Sequence, residues 1–578
     1  MKNERTVGGV ASARKTKFLM VLTASSILAS WGGQAFADDS ASIRRLEAEI
    51  QRIEARHQQE ISALKSEIRH LRHGGGPIYV TKGEPLPAGP GPHVIETTKA
   101  GVHFGFADAD NENTVELTGR LHIDTGGYPG WRPNNATERT SRPGLAGGIN
   151  FRRARIGVQG IFLGDWAYGL IFDMGGTNDG FAGAFNSNTG VVTNGITSGI
   201  ENAFITYNGL YKHGGPFPVA FDIGAIDVPW TLDEPMGSND IMFMERSSSQ
   251  VVATLFGGGD NRTALGFRSN NDRYWLGAYL TGPQTGAEHV VATTGNTAVA
   301  TGPNVGLGPQ LAGLVRATYQ LYQDKTNNAS LHIGVNYAYT FDPRSCNTSI
   351  NVTNASIPSG TTGAVTCNAS GLTLSDRPEL RIDPTQFLNT GFIPAHAGQV
   401  IGGEAAASYG NAFIQGEYYH YIVDTKNETT VGGIVAGTPG PSVAFNGGYV
   451  QGSYTFGGRR YYKPTTGAYS GVIPDHPFIL GTGGWGALEV AGRFSIVDLN
   501  AAAPFLAGAA VGSGTRGGAI LGGEQTAYGA GANWYPNGNL KFMLDYEHVI
   551  ADIPATLGGP STKGGTIDWI AARSEFFF

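Results

Sequence analysis

The stretch FRRARIGVQG, residues 151–160, sets Arg152, Arg153 and Arg155 close together and then turns apolar. Side chains alternate faces along an extended strand, so Arg153, Arg155 and Gln159 share one side while Ala154, Ile156 and Val158 share the other. Guanidinium groups pair phosphate or carboxylate in bidentate fashion, so the chemistry on offer is anion recognition, with no bond made or broken. Arg120, Arg316, Arg493, Lys541 and Arg573 lie on the polar sides of similar alternating stretches. So do the acids Glu116, Asp124, Asp173, Glu404, Glu417, Glu489, Asp545 and Glu575, so pairing with such an acid stands as an equal alternative for each arginine. A second charged group lies in GAIDVPWTLDEPMGSNDIMFMER, where Asp227, Asp233, Glu234, Asp240 and Glu245 face a single base, Arg246.

Nothing in the chain reads as catalytic machinery. Gly147-Gly148 is turn material, because no strand-to-helix context follows to make it a phosphate loop. The 13 histidines are scattered without metal-ligand spacing. The expectation is no enzyme, no metal and no cofactor.

Positioning those cations requires a frame, and composition points to strands. Among 578 residues there are 87 glycines, only 15% charged residues and 10% aromatics, which suits many short strands and turns. Lys15 and Lys17 precede an apolar stretch from Phe18, and Ala35-Phe36-Ala37 stands before Asp38, the pattern of a cleaved secretory signal over 1–37. That apolar stretch is short for a spanning helix, and the chain offers no other, so a membrane would have to be crossed by strands. Removing five basic residues and one acid with the leader takes 40 and 47 to 35 and 46, a net charge of −11. So acidic a protein is a poor partner for nucleic acid. The only two cysteines, Cys346 and Cys367, share one polar stretch and read as a loop-stapling disulfide in an oxidising compartment.

Two periods divide the rest. From Ser42 to Arg72, Ile43, Leu46, Ile50, Ile53, His57, Ile61, Leu64, Ile68 and Leu71 form a heptad seam with one stutter at His57. This predicts a short coiled coil within 38–73, and its isoleucine-rich seam leans toward a trimer. A Pro/Gly-rich linker follows over 74–100. From 101 to 578 the period is two: VELTGRLHID, SLHIGVNYAY, ALEVAGRFSI and NLKFMLDYEH each alternate apolar with polar. Sixteen such segments are expected, starting near 114, 149, 165, 199, 218, 261, 272, 309, 329, 398, 411, 446, 484, 522, 538 and 566. An even number of strands, joined by tight turns on one side and long Ser/Thr/Asn/Gly-rich loops on the other, fits an antiparallel outer-membrane β-barrel. A lipid-facing arginine at mid-membrane costs about 2–4 kcal/mol, so Arg153 and Arg155 are expected in the lumen. Arg152 has the lipid-facing parity and is expected at a strand end, snorkelling to headgroups.

Several pieces resemble the phosphate-selective porin O and P family of Gram-negative outer membranes: LTGRLHID, FRRARIGVQGIFLGDWAYGLIFD, IENAFITYNG, SNDIMFMER, GGWGALEVAGRFS and NWYPNGNLKFMLDYEHV. The terminal aromatic of WIAARSEFFF likewise resembles a barrel-assembly signal. The resemblance implies a homotrimeric, sixteen-stranded, water-filled channel embedded in outer-membrane lipid, with a loop folded into the lumen and basic residues favouring anions. The stretch from Gly224 to Arg246 is the constriction-loop candidate. Where family members commonly carry a lysine, in a Gly-Gln-Phe-Lys-like run, this chain reads Gly224-Ala225-Ile226-Asp227, and an acidic constriction favours cations or little selectivity. The expected function is passive diffusion of small hydrophilic solutes or ions, phosphate among them, with the coiled coil in the periplasm. The alternatives are a tether between outer membrane and cell wall and a surface-binding barrel.

Overall fold

The computed structural model describes residues 104–133, 144–175, 199–213, 218–284, 310–343, 370–431, 434–478, 480–481, 483–503, 519–552 and 564–578. Short strand pieces are also described at 93–94, 184–186, 191–193, 293–294, 297–298 and 515–516. The leader, the heptad seam, most of the linker, Cys346 and Cys367 lie outside these residues.

Sixteen strands form one closed antiparallel sheet. In chain order they are β1 (Thr114–Gly127), β2 (Gly148–Phe162), β3 (Trp166–Asp173), β4 (Ile200–Tyr207), β5 (Val219–Ile226), β6 (Arg262–Asn270), β7 (Tyr274–Gln284) and β8 (Leu311–Asp324). Then follow β9 (Ala329–Asp342), β10 (Leu388–Tyr409), β11 (Ala412–Val431), β12 (Ile434–Phe456), β13 (Ala487–Ala502), β14 (Ala519–Asn537), β15 (Leu540–Asp552) and β16 (Gly565–Phe577). Each strand pairs with the next, and β16 pairs with β1, with Arg573 opposite Asp124 and Phe576 opposite Leu121. Phe578 extends the seam by exchanging two main-chain hydrogen bonds with Gly119, at 3.0 and 3.1 Å. Closure leaves no unpaired edge, the condition for strands to cross a lipid bilayer.

The alternation predicted from sequence is the alternation seen. On β15, Phe542, Leu544, Tyr546 and Ile550 point outward and are exposed, while Lys541, Met543, Asp545 and Glu547 point inward and are buried. Most strand starts agree with the periodicity. β10 and β12 begin ten or so residues earlier than expected, at Leu388 and Ile434, because they continue past the amphipathic stretch. Among the described residues no helix is long and apolar enough to cross a membrane.

The connections are unequal in a systematic way. On one side β2–β3, β6–β7, β8–β9, β10–β11 and β14–β15 are joined by tight turns such as Leu163–Asp165 and Gly410–Asn411. That side has two exceptions, the link 208–218 between β4 and β5 and the far longer Gly457–Gly486 between β12 and β13. The opposite side carries the long links, including 227–261 between β5 and β6 and 343–387 between β9 and β10.

Inside the wall the barrel has a core of its own. The helix α1 (Ser248–Phe256) lies within the 227–261 link, its first turn capped by Ser247, whose Oγ accepts from Gln250 N at 3.4 Å. It buries Val252, Ala253 and Phe256 in a cluster with the inward-facing Tyr419, Tyr421, Val423, Val443, Phe445, Val497 and Leu499 of β11–β13. The Phe256 and Tyr421 rings stack with centroids 6.0 Å apart. Burying those side chains is worth about 1.5–3 kcal/mol each, so the helix is held inside the barrel by the same term that drives a soluble core together.

Candidate functional site

The lumen contains parts of three links, and wall side chains hold each one. The 227–261 link meets nearly every sector of the barrel. Glu417 on β11 accepts from the main-chain N–H of Leu232 at 2.7 Å and Asp233 at 3.2 Å. Asp545 on β15 accepts from Met244 N at 2.7 Å, and Lys541 donates to Ile241 O at 2.7 Å. Asn533 on β14 donates to Met242 O at 2.8 Å, and Arg493 on β13 to Glu245 O at 2.7 Å. From β1, Arg120 donates to Ser238 Oγ at 2.5 Å and His122 Nε2 lies 2.9 Å from Asn239 Oδ1.

The second link enters at Glu379, which bonds Arg493 and accepts from Ser495 Oγ at 2.7 Å. Its Pro378 carbonyl accepts from Trp569 Nε1 at 3.1 Å. The third is the long link Gly457–Gly486, the longer exception on the tight-turn side. Its hairpin, Tyr462–Lys463 against Ala468–Tyr469, turns through Gly467 at φ +60°, a conformation glycine adopts without strain. Arg316 on β8 donates to Thr466 O at 3.0 Å and Gly467 O at 2.7 Å, and Trp275 Nε1 donates to Thr465 O at 3.0 Å.

Every strand-borne cation proposed for the lumen points inward, but most are spent on carboxylates. Arg316 pairs with Glu404 at 2.8 Å, Arg573 with Asp124 at 2.6 Å and Glu245 at 2.8 Å, and Arg493 with Glu379 and Glu547. Arg155 pairs with Asp173 at 2.7 Å and with Glu201. Lys541 lies 3.9 Å from Glu575. Arg316, Arg493, Lys541 and Arg573 are buried against the inward links and do not face open water. Among the described residues Arg120 and Arg153 alone of this group have no carboxylate partner; Arg153 is buried beside His122 Nδ1 at 3.5 Å, and Arg120 is half-buried. Gln159 is also half-buried on the same sector.

Arg152 corrects the parity argument. A β-bulge in β2 sets Phe151 opposite Ile123 and Arg153 opposite His122, so Arg152 is the extra residue. It turns into the lumen and forks onto Glu245 at 2.7 and 3.1 Å, instead of reaching for headgroups. The bulge thus supplies two consecutive inward arginines where strict alternation allows one.

The acids of the 227–261 link are distributed among the same cations. Glu245 takes Arg152, Arg573 and Arg381; Glu234 is bonded by Arg262; Asp233 lies 3.6 Å from Arg246 and accepts from Gln415 Nε2 at 3.0 Å. Arg246 also donates to the Glu234 and Met236 carbonyls at 3.1 and 2.9 Å, fixing the link's own bend. Asp240 pairs with Lys463 at 2.9 Å. Asp227, Glu234 and Asp260 bring carboxylate oxygens within 4.8 Å of one another, a donor set a divalent cation could use, but Arg246 and Arg262 meet its charge from alongside. Withdrawal from water pushes the Asp227 carboxyl up to about 6, with Asp260 and Glu201 adding to the rise and Arg246 and Arg262 opposing it.

Exposure is uneven around the inner wall. Across β8–β16 inward side chains such as Arg316, His332, Glu404, Glu489 and Asp545 are buried. Across β1–β6 the wall is mixed: His122, Asp124, Arg153, Asp173, Glu201, Asp222 and Arg262 are buried, while Glu116, Thr118, Arg120, Gln159, Asn202, Phe204 and Arg268 keep partial access to water. Reading the sequence did not find Arg460, bonded to Glu489 at 2.7 Å, nor Lys463. Both lie in a link without strand periodicity; the signal available was its length on a side made mostly of tight turns.

Comparison with known proteins finds a family match. A family model described as phosphate-selective porin O and P matches residues 115–553. A protein of Caulobacter vibrioides described as uncharacterized is 25% identical over 566 residues, covering 93% of each chain. Among solved structures, the outer membrane channel DcaP of Acinetobacter baumannii aligns at 10% identity with a TM-score of 0.40, covering 82% of this chain and 99% of that one. OprB of Pseudomonas putida aligns at 8% identity with a TM-score of 0.39, covering 80% and 94%.

Proposed function

Because the chain belongs to the phosphate-selective porin O and P family, we propose that its barrel is a narrow outer-membrane channel for passive diffusion of small hydrophilic solutes, its water path displaced to the β1–β6 wall. The observation that carries this reading is the uneven burial of the inner wall. The β8–β16 sector is sealed by ion pairs and by the apolar cluster around α1, whereas on part of the β1–β6 wall polar side chains such as Glu116, Arg120, Gln159 and Arg268 keep access to water. A sixteen-stranded barrel is too wide for its own side chains to fill, and here the inward links do the narrowing.

Selectivity follows from which charges stay uncompensated. A buried pair such as Arg316–Glu404 presents little net field to a passing ion, so the arginines do not add up to a strong anion attractor. We read the channel as weakly selective, with cations that no buried carboxylate neutralises, Arg120 among them, supplying what anion preference it has. The working unit is a homotrimer, a reading supported by the isoleucine-rich seam from Ser42 to Arg72.

Planar-bilayer reconstitution tests both statements. Discrete ion conductance is expected from purified protein, and its absence would overturn the channel. Reversal potential in asymmetric salt is expected to show a permeability ratio near unity; a strong phosphate preference would reject the weak selectivity. The ratio should also depend on pH. As pH rises through about 6 the Asp227 carboxyl, facing Arg246, Arg262, Asp260 and Glu201, loses its proton and adds a negative charge, so the ratio moves toward cations. A ratio flat between pH 5 and pH 7 would remove Asp227 from the path.

A further inference from the structure

The 227–261 link and the Gly457–Gly486 link enter the lumen from opposite ends of the barrel, and among their contacts is one water-exposed ion pair. Lys463 Nζ lies 2.9 Å from Asp240 Oδ2. The side chains are 44% and 25% exposed, whereas both partners of Arg316–Glu404, Arg460–Glu489 and Arg573–Asp124 are at most 2% exposed. Asp240 is held in place from its main chain: its carbonyl accepts from Arg460, and its N–H donates to Gly237 O at 2.7 Å. Arg120 bonds Ser238, two residues earlier, from the β1 wall.

We propose that Asp240 and Lys463 are the residues that set the charge selectivity of the channel, with Lys463 the specificity-determining cation and Asp240 the acid that offsets it. The inference rests on the channel reading above and deepens it. Buried pairs are locked dipoles, and water-exposed charges at a narrow place are what a permeant ion feels. At the tip of the 227–261 link that means two cations, Arg120 and Lys463, and one acid, Asp240. The sum is one positive charge, consistent with a modest anion preference. Lys463 arrives there only because the β12–β13 link on the tight-turn side is long enough to fold back into the lumen.

The experiment is reversal-potential measurement on the reconstituted full-length protein with single and paired variants. Asp240→Asn leaves two cations and is expected to raise the anion-to-cation permeability ratio a few-fold. Lys463→Gln leaves one of each sign and is expected to lower it a few-fold. The double variant should return close to the unsubstituted protein, and Lys463→Arg should leave the ratio alone, which separates charge from misfolding. Lys325→Gln removes an equal charge from a pair with Asp272 between two tight turns, 2.8 Å and well exposed, and should do nothing. Conductance with the ratio unmoved by either single variant overturns this assignment while leaving the channel standing. A Lys325→Gln shift as large as that of Lys463→Gln also overturns it, by assigning selectivity to general surface charge. No conductance from the unsubstituted protein sinks the channel reading itself.

Discussion

Arg573→Ala is expected to release the inward 227–261 link and to cost about 3–5 kcal/mol of stability, the range for breaking a buried ion pair from one side. Arg573 forks onto Asp124 at 2.6 and 2.8 Å, bonds Glu245 at 2.8 Å and donates to the Met244 carbonyl, all at no exposure. Its loss strands the buried Asp124 carboxylate and the Met244 carbonyl, and takes one of three cations from Glu245, in a region water does not reach. Arg152 and Arg381 still hold Glu245, so Asp124 suffers most. Thermal unfolding in detergent measures the cost, and bilayer current should become larger and noisier as the link detaches. Arg132→Ala is the comparison: its partner Asp568 is 3.6 Å away and its own side chain is 72% exposed, so a change within about 0.5 kcal/mol is expected. A similar small change for Arg573→Ala would mean that its ion pairs do not anchor the link.

The second large effect concerns the exceptional link on the tight-turn side. Replacing Gly457–Gly486 by a two-residue turn like Gly410–Asn411 is expected to raise single-channel conductance several-fold. The hairpin it removes covers Arg316, packs Tyr469 on Phe413 with ring centroids 4.6 Å apart, and meets the 227–261 link at Asp240. Without it Arg316 and Glu404 remain paired on the wall, since their bonds to each other do not involve the hairpin. Glu489 loses Arg460 but keeps the donors Ser453, Asn533 and Tyr535, and no strand pairing of the wall runs through the hairpin, so the barrel should stay closed while its lumen widens. Unchanged conductance would place the narrowest point elsewhere, in the 227–261 link alone.

How much of this could be read from the chain differs sharply between wall and contents. Strand alternation made β1, β15 and β16 legible to within a residue or two, because lipid outside and polar groups inside impose opposite demands on successive side chains. The same rule put Arg120, Arg153, Arg155, Arg316, Arg493, Lys541 and Arg573 on the inner face. It could not show that the inner face is largely dry. FIQGEYYHYIV on β11 carried a hint: Phe413, Tyr419, Tyr421 and Val423 are apolar on the side parity assigns to water, as Ile414, Tyr418 and Ile422 are on the lipid side. A strand apolar on both faces is one buried on both faces, and α1 is what buries the inner one. Arg152 was misplaced because a bulge shifts parity without leaving a mark on composition. The resemblance marks Gly224 to Arg246 as a candidate inward loop, but the pairing of its acids with particular wall arginines depends on contacts between residues far apart in sequence, as with Glu245 and Arg573.

The Arg573–Asp124 pair also bears on how the barrel comes to be made. It spans the joint between the first and last strands, where the two residues sit directly opposite each other. No earlier intermediate can contain that pair, since it requires both ends of the sheet to have met. A slip of one residue at the joint would turn Arg573 toward lipid, and a slip of two would set it against His122 or Gly126. Only the correct register pairs the buried charge with its acid and gives Glu245 an anchor at the seam. The ion pair is therefore complete only when the barrel is closed in register, and it ties the joint between first and last strands to the docked contents through Glu245.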